Sequence, residues 1–133
     1  ELPPTMSGVP ESTSVELAIR GEDDTEPNAR FDAELAATDL ERSRGLSERP
    51  CIQPGWAMLF VYPEQDTLTH QTRDMRFEID LAFVDDSGRV VDVHRGLPPG
   101  GEALVTSSEQ ATYVIETDSG GLDGVSVGDA ASW

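Results

Sequence analysis

The residues of this chain best suited to chemistry are a few arginines and carboxylates set in or beside apolar runs. Asp80 lies inside IDLAFV, residues 79–84, where strand alternation turns it away from Ile79 and Leu81 although apolar residues flank it on both sides. A buried carboxylate needs a partner, because losing one costs on the order of 3–5 kcal/mol. Arg49, Arg73 and Arg76 are the candidates. Guanidinium forks bind carboxylate, phosphate or sugar hydroxyls through directional hydrogen bonds, so Arg49 and Arg73 beside Asp80 could hold a small molecule or a glycan. The same pair could serve an enzyme as acid, base or electrostatic stabiliser. It could equally be a structural ion pair pinning residues 72–75 onto the strand. Glu116, between Ile115 and Thr117, either completes this cluster or sits on an exposed strand face.

Other chemistries have thinner support. Asp92 and His94 share a strand face at i and i+2, and His70 could reach them to make a transition-metal site. Two histidines without tight spacing are not a metal motif, so no metal and no cofactor is assigned. No nucleophile elbow is expected, which sets a Ser/His/Asp hydrolase aside, and no glycine-rich phosphate loop precedes a helix. Cys51 is the only cysteine, so an internal disulfide is impossible. Its neighbours Pro50 and Ile52 lead us to expect a buried, structural thiol rather than a nucleophile. Trp56, Phe60, Tyr62, Tyr113 and Trp133 could form a carbohydrate platform. Phe60 and Tyr113 are expected in the core, which leaves Trp56, in a Pro-Gly loop, as the most available.

These residues need elements to position them. Residues 1–14 carry three prolines and little apolar content, as an extended leader or linker would. Residues 15–133 read as one domain. VELAIR (15–20) and residues 30–37 alternate like strands around the breaker-rich turn GEDDTEPN (21–28), an antiparallel hairpin. Thr38 with Glu41 spells a capping box for a short helix running to about Leu46. Residues 47–56, with two prolines and a glycine, form a loop that leads into a core strand at 57–62. Further strands are expected at 67–72, 77–85, 89–94 and 111–117, with DDSG (85–88) as a hairpin turn and a short final strand near Val125. The sum is a mainly β (α+β) chain of about seven strands and one short helix, a small single-domain barrel or sandwich. At 133 residues it can bury a real core without disulfides or a structural metal.

Charge sets outer limits on function. The formal charge is -17, from 26 acidic and nine basic residues, and every basic residue is arginine. Such a chain repels phosphate backbones and anionic lipid headgroups, so neither nucleic acid nor a membrane surface is an expected partner. Self-repulsion strains the compact state at ordinary ionic strength. At about 1 M salt the Debye length falls to roughly 3 Å and that strain largely vanishes, so adaptation to very high salt is expected. No apolar run approaches the roughly 20 residues of a membrane helix. The chain starts at Glu1, from which removal of an upstream segment is expected, by maturation of an exported protein or by truncation. Oligomeric state has no signature here.

The order of motifs resembles the DUF192 family, also called UPF0127. GLSER (45–49), AMLFVY (57–62), RDMRFEIDLAFVDDSGRVVDVH (73–94), a proline-containing loop, YVIET followed by glycine, and VGDA occur in the family's order over residues 31–129. Arg73 and Asp74 match the family's Lys/Arg–Asn/Asp pair, and Ile79 with Asp80 matches its Leu-Asp. Gln71, Thr72 and Glu78 depart from its usual Trp or His, Met and Pro, and Ala57 replaces a glycine. The resemblance implies a compact, mostly β domain, often exported or lipid-anchored, without a settled activity; a cytoplasmic location stays open. With the acidic composition it points to a haloarchaeal-type member. The expectation is a non-catalytic module binding a small molecule or glycan through Arg49, Arg73, Asp74, Asp80 and Glu116. An enzyme using the Arg/Asp pair, and a structural or protein-interaction domain, are the alternatives.

Overall fold

A computed structural model describes residues 13–47, 49–100 and 104–133. Most of the leader expected over residues 1–14 therefore lies outside the described residues. The first strand, β1 (Ser14–Arg20), pairs antiparallel with β2 (Ala29–Ala36), Leu17 opposite Phe31. The polar turn between them makes this hairpin, as alternation in both segments requires. Helix α1 (Asp39–Arg44) follows. The Thr38 hydroxyl accepts the Glu41 N–H, and Glu41 Oε1 accepts the Thr38 N–H, so both halves of the capping box form. This helix and the loop behind it make the crossover that lets β3 (Trp56–Asp66) run parallel to β2.

Two small strands, β4 (Thr69–Gln71) and β7 (Leu104–Thr106), pair as a separate ribbon. The remaining strands are β5 (Ile79–Val84), β6 (Val90–Leu97), β8 (Ala111–Asp118) and β9 (Ala130–Ser132). The main sheet has seven strands in the order β6-β5-β8-β3-β2-β1-β9. It curls until its edges meet at one end. There Val90 N–H donates to Asp129 O at 2.8 Å and Ala131 N–H to Gly88 O at 2.7 Å. Gly88 permits this closure: its φ is 91°, and a Cβ would stand 2.8 Å from Ala131 O.

The domain is thus mainly β, with nine strands and one short helix among the described residues. The two strands beyond the expected seven include the three-residue β7, too short for a period to be read. The final strand is β9, not a strand near Val125; Val125 is buried in the turn-rich segment before it. Strand β3 runs on past Pro63 because its pairing with β8 shifts register between Val61 and Asp66, where no ladder hydrogen bond is asked of the proline.

The sheet buries both faces. Leu17, Phe31, Leu59, Ala82, Val84 and Ile115 pack inside the curl. Met58, Phe60, Leu81, Phe83 and Val114, displaced by one residue along the same strands, pack beneath the β4–β7 ribbon side. That is why all six residues of β5 are buried and why its sequence runs apolar apart from Asp80. Cys51 corrects an expectation: it is exposed, because the loop entering β3 turns it away from both cores.

Candidate functional site

Alternation along β8 places Glu116 on the same face as Val114, and alternation along β3 places Tyr62 with Met58 and Phe60. Glu116 stands opposite Met58 on one side and Leu81 on the other, in the middle of the sheet. Strand β4 lays His70 over this face. Its Nδ1 is 2.8 Å from Glu116 Oε2, and its Nε2 is 2.8 Å from the Tyr62 hydroxyl. The His70 and Glu116 side chains are 9% and 4% exposed. Phe60 packs edge-on to the imidazole at 4.6 Å between ring centres, and Phe83 at 6.4 Å. The ring is therefore held by apolar walls and by a hydrogen bond at each nitrogen.

The directions of these bonds follow from donor capacity. An ionised carboxylate only accepts, so Nδ1 carries the proton it shares with Glu116. In the neutral ring Nε2 is then an acceptor and Tyr62 O–H donates to it, whereas an imidazolium would donate Nε2–H to the phenol oxygen. Burial pushes the Tyr62 phenol above its ordinary value of 10; Arg42 opposes this and Glu116 reinforces it. Tyr62 keeps its proton.

This chain of three groups lies at the floor of a cavity of about 280 Å³. Gln71, Asp74, Met75 and the helix-end residues Arg42 and Arg44 are among those that line it. Arg42 is largely committed: its guanidinium donates to Ala37 O, Val61 O and Asp39 Oδ1 and lies 5.1 Å from the centre of the Tyr62 ring. It fixes the helix end to β3 and so shapes the cavity wall.

Of the five residues expected to form a site, Asp74 and Glu116 line this cavity and the other three stand elsewhere. Arg49 Nη2 donates to both oxygens of Glu34 at 3.0 and 2.9 Å, and its guanidinium stacks on Trp56, 4.7 Å from the ring centre. It borders a neighbouring cavity of about 340 Å³, and Trp56 is no open platform. Arg73 is exposed, its backbone N–H taken by Gln71 Oε1. Asp80 is 1% exposed but has no arginine partner among the described residues. Its Oδ1 accepts Gly96 N–H at 3.0 Å, and its Oδ2 accepts Gly120 and Leu122 N–H at 3.0 and 3.1 Å. The expected Arg/Asp pair is replaced by backbone donors from the end of β6 and from the turn that follows β8, so the carboxylate braces these two together.

The metal arrangement considered for His70, Asp92 and His94 does not assemble. His94 Nε2 bonds Asp92 Oδ2 at 3.1 Å, and the Phe83 ring packs against both histidines. Among the described residues no three His, Cys, Asp or Glu side chains cluster as a metal would need. The glycines do flank a serine in the G-x-S-x-G form once, at residues 124–128, GVSVG, which corrects the reading that the pattern is missing. They form no strand-to-helix turn: Ser126 N–H donates to Asp129 Oδ2 and β9 follows.

Tyr62 and His70 were expected in other roles, an aromatic of a carbohydrate platform and a metal ligand, and not in one chain with Glu116. The signal was present for His70, which alternates with Leu68 and Thr72, so that a titratable ring falls on an apolar face. Glu116 carries the same signal among Val114, Ile115 and Thr117. What alternation lacks is the register that brings the two faces together.

The arrangement defines a class: a small curled-sheet β domain with a buried Tyr–His–Glu chain at the floor of an open cavity. The chain belongs to the DUF192 family, described as "Uncharacterized ACR", whose profile matches residues 20–133. A UPF0127 protein from Thermococcus sibiricus is 31% identical over 103 residues, 74% of this chain. The matched region spans 64% of that relative's length. A crystal structure from Sinorhizobium meliloti 1021, provisionally described as a transcription regulator, superposes with a TM-score of 0.86 at 24% identity, covering 94% of this chain and 97% of that one. A protein of unknown function from Novosphingobium aromaticivorans gives a TM-score of 0.83 at 22% identity, covering 100% and 99%. At these identities the two structures establish the shared fold and nothing of function.

Proposed function

We propose that this domain is a non-catalytic module that binds a small molecule or glycan in a high-salt medium. One observation carries the reading: the Glu116–His70–Tyr62 chain ends at the floor of an open cavity instead of being sealed in the core. A purely structural network gains nothing from solvent access, whereas a fixed phenol beneath a polar rim suits a ligand. The raised phenol favours hydrogen bonding over nucleophilic attack, because Tyr62 holds its proton. The high-salt part rests on the charge of -17 and the absence of lysine. An exported or cell-surface location belongs to the same proposal on the strength of the family resemblance, and cell fractionation tests it. Binding is tested by calorimetry against a metabolite and oligosaccharide library in multi-molar KCl, with Tyr62→Phe as the control. Ligands that bind the wild type and bind the variant at least about tenfold more weakly, near 1.4 kcal/mol, are expected. A library without a single ligand would sink the reading, and turnover of any ligand would overturn its non-catalytic part.

A further inference from the structure

We infer that the Glu116–His70–Tyr62 chain fixes the polarity of the cavity, so that it selects neutral polyhydroxylated ligands, which donate hydrogen bonds, over carboxylates and phosphates. This rests on the proposed binding role and names its ligand class. The direction of the chain decides the polarity. In the neutral-ring tautomer that we assign, Tyr62 O–H is spent on His70 Nε2, 2.8 Å away, and the oxygen left facing a ligand can only accept. Glu116 lines the same cavity, and its Oε1 accepts from no group among the described residues. Asp74 adds a third acceptor at the wall. A ligand hydroxyl donating to Tyr62 would continue one run of bonds, ligand to tyrosine to histidine to carboxylate, with every donor pointing the same way.

An anion meets the opposite situation. To receive a hydrogen bond from Tyr62, its carboxylate or phosphate would need the phenol proton turned outward. His70 would then have to present Nε2–H, which requires the imidazolium while Nδ1 still serves Glu116. Anion binding would therefore take up a proton, and hydroxyl binding would not. The charges along the wall agree with a neutral ligand. Arg42, Arg44, Asp74 and Glu116 all line the cavity, two cations and two carboxylates, and the Arg42 fork is already bonded to Ala37, Val61 and Asp39. Arg44 and Asp74 are both exposed, so salt screens both strongly.

The test has two arms on the full chain in multi-molar KCl. Long-range proton–nitrogen NMR reads the His70 tautomer without any ligand. The expected result is a protonated Nδ1 and a bare Nε2 at neutral pH; the opposite tautomer or an imidazolium overturns the inference even if ligands bind. Calorimetry then compares neutral hexoses and inositols with the matching uronic acids and sugar phosphates, in buffers of differing ionisation enthalpy. The neutral members should bind at least about tenfold tighter, with no proton exchanged. Tighter binding of the anions, with close to one proton taken up per site, overturns the polarity while leaving the binding role standing. A panel in which nothing binds removes both.

Discussion

His70 Nδ1 stands 2.8 Å from Glu116 Oε2, a bond joining β4 to the middle of β8 across 46 residues of sequence. With the His70–Tyr62 bond it ties the β4–β7 ribbon to the sheet beneath, and the His70 and Glu116 side chains are nearly buried. Removing the carboxylate leaves a buried N–H donor with no partner. Glu116→Ala should therefore cost about 1–3 kcal/mol beyond lost packing. Glu116→Gln retains an acceptor for Nδ1 and should recover most of that loss. Urea unfolding at constant KCl measures both, and equal losses in the two variants would show that charge, not the hydrogen bond, is what matters.

Asp80 makes a contrasting prediction. Its carboxylate accepts three backbone N–H groups, and an asparagine there would press its own NH2 against at least one of them. Asp80→Asn should cost roughly 2–4 kcal/mol of stability. Because Asp80 lies on the inward face of β5, away from the cavity, the folded variant should bind ligand as the wild type does. A variant of wild-type stability with weakened binding would return Asp80 to the site.

Two aspartates should pull the pH dependence in opposite directions. Burial raises the Asp85 carboxyl, but hydrogen bonds from the Ser87 hydroxyl and from the Arg89 and Ser87 N–H groups outweigh it and hold the group below its ordinary 3.8. A depressed folded value means stability that is present above the unfolded value and lost as pH falls through the folded one. Asp85→Asn should lower the neutral-pH midpoint and flatten the acid limb.

Asp118 has the reverse sign. Burial, then repulsion from Asp80, raises its carboxyl above 3.8. Its contribution is present below the unfolded value and lost as pH rises through the raised folded one. Asp118→Asn should leave the midpoint unchanged in strong acid and raise it at neutral pH. A fall at neutral pH would mean that the carboxylate makes a favourable contact in the folded state.

The contrast between Asp85 and Asp80 shows where sequence was legible. DDSG carries its own turn chemistry: Asp85 caps residues two and four positions on, and hairpin β5–β6 could be read from it. The capping box of Thr38 and Glu41 is local in the same sense. Asp80 was correctly placed inside, yet its partners are backbone N–H groups 16, 40 and 42 residues away. Every residue but proline has such a donor, so nothing in the side-chain sequence marks these three. Tyr62, His70 and Glu116 are a further case. Each is visible as a polar residue on an apolar face, but they come from three strands, and only the pairing of β3 with β8 and the placement of β4 bring them within hydrogen-bond reach.

Salt should stabilise this domain in a particular concentration range. Of nine arginines, Arg42 pairs with Asp39, Arg49 with Glu34 and Arg89 loosely with Glu22 at 3.7 Å, which leaves most carboxylates among the described residues without an arginine partner. Their mutual repulsion is what added ions remove. The Debye length shrinks from about 10 Å at 0.1 M to about 3 Å at 1 M, so the unfolding midpoint should climb most steeply over that interval. Any slower rise beyond it would come from strengthened burial rather than screening, and should respond to the anion used. The exposed turn 21–28 offers a direct check, since Asp23 and Glu26 lie there with no partner among the described residues. Replacing them with asparagine and glutamine should raise the midpoint in dilute buffer and leave it nearly unchanged at 2 M KCl or thereabouts, where screening is already complete. A wild-type midpoint indifferent to KCl would mean that the acidic surface is not an adaptation to salt.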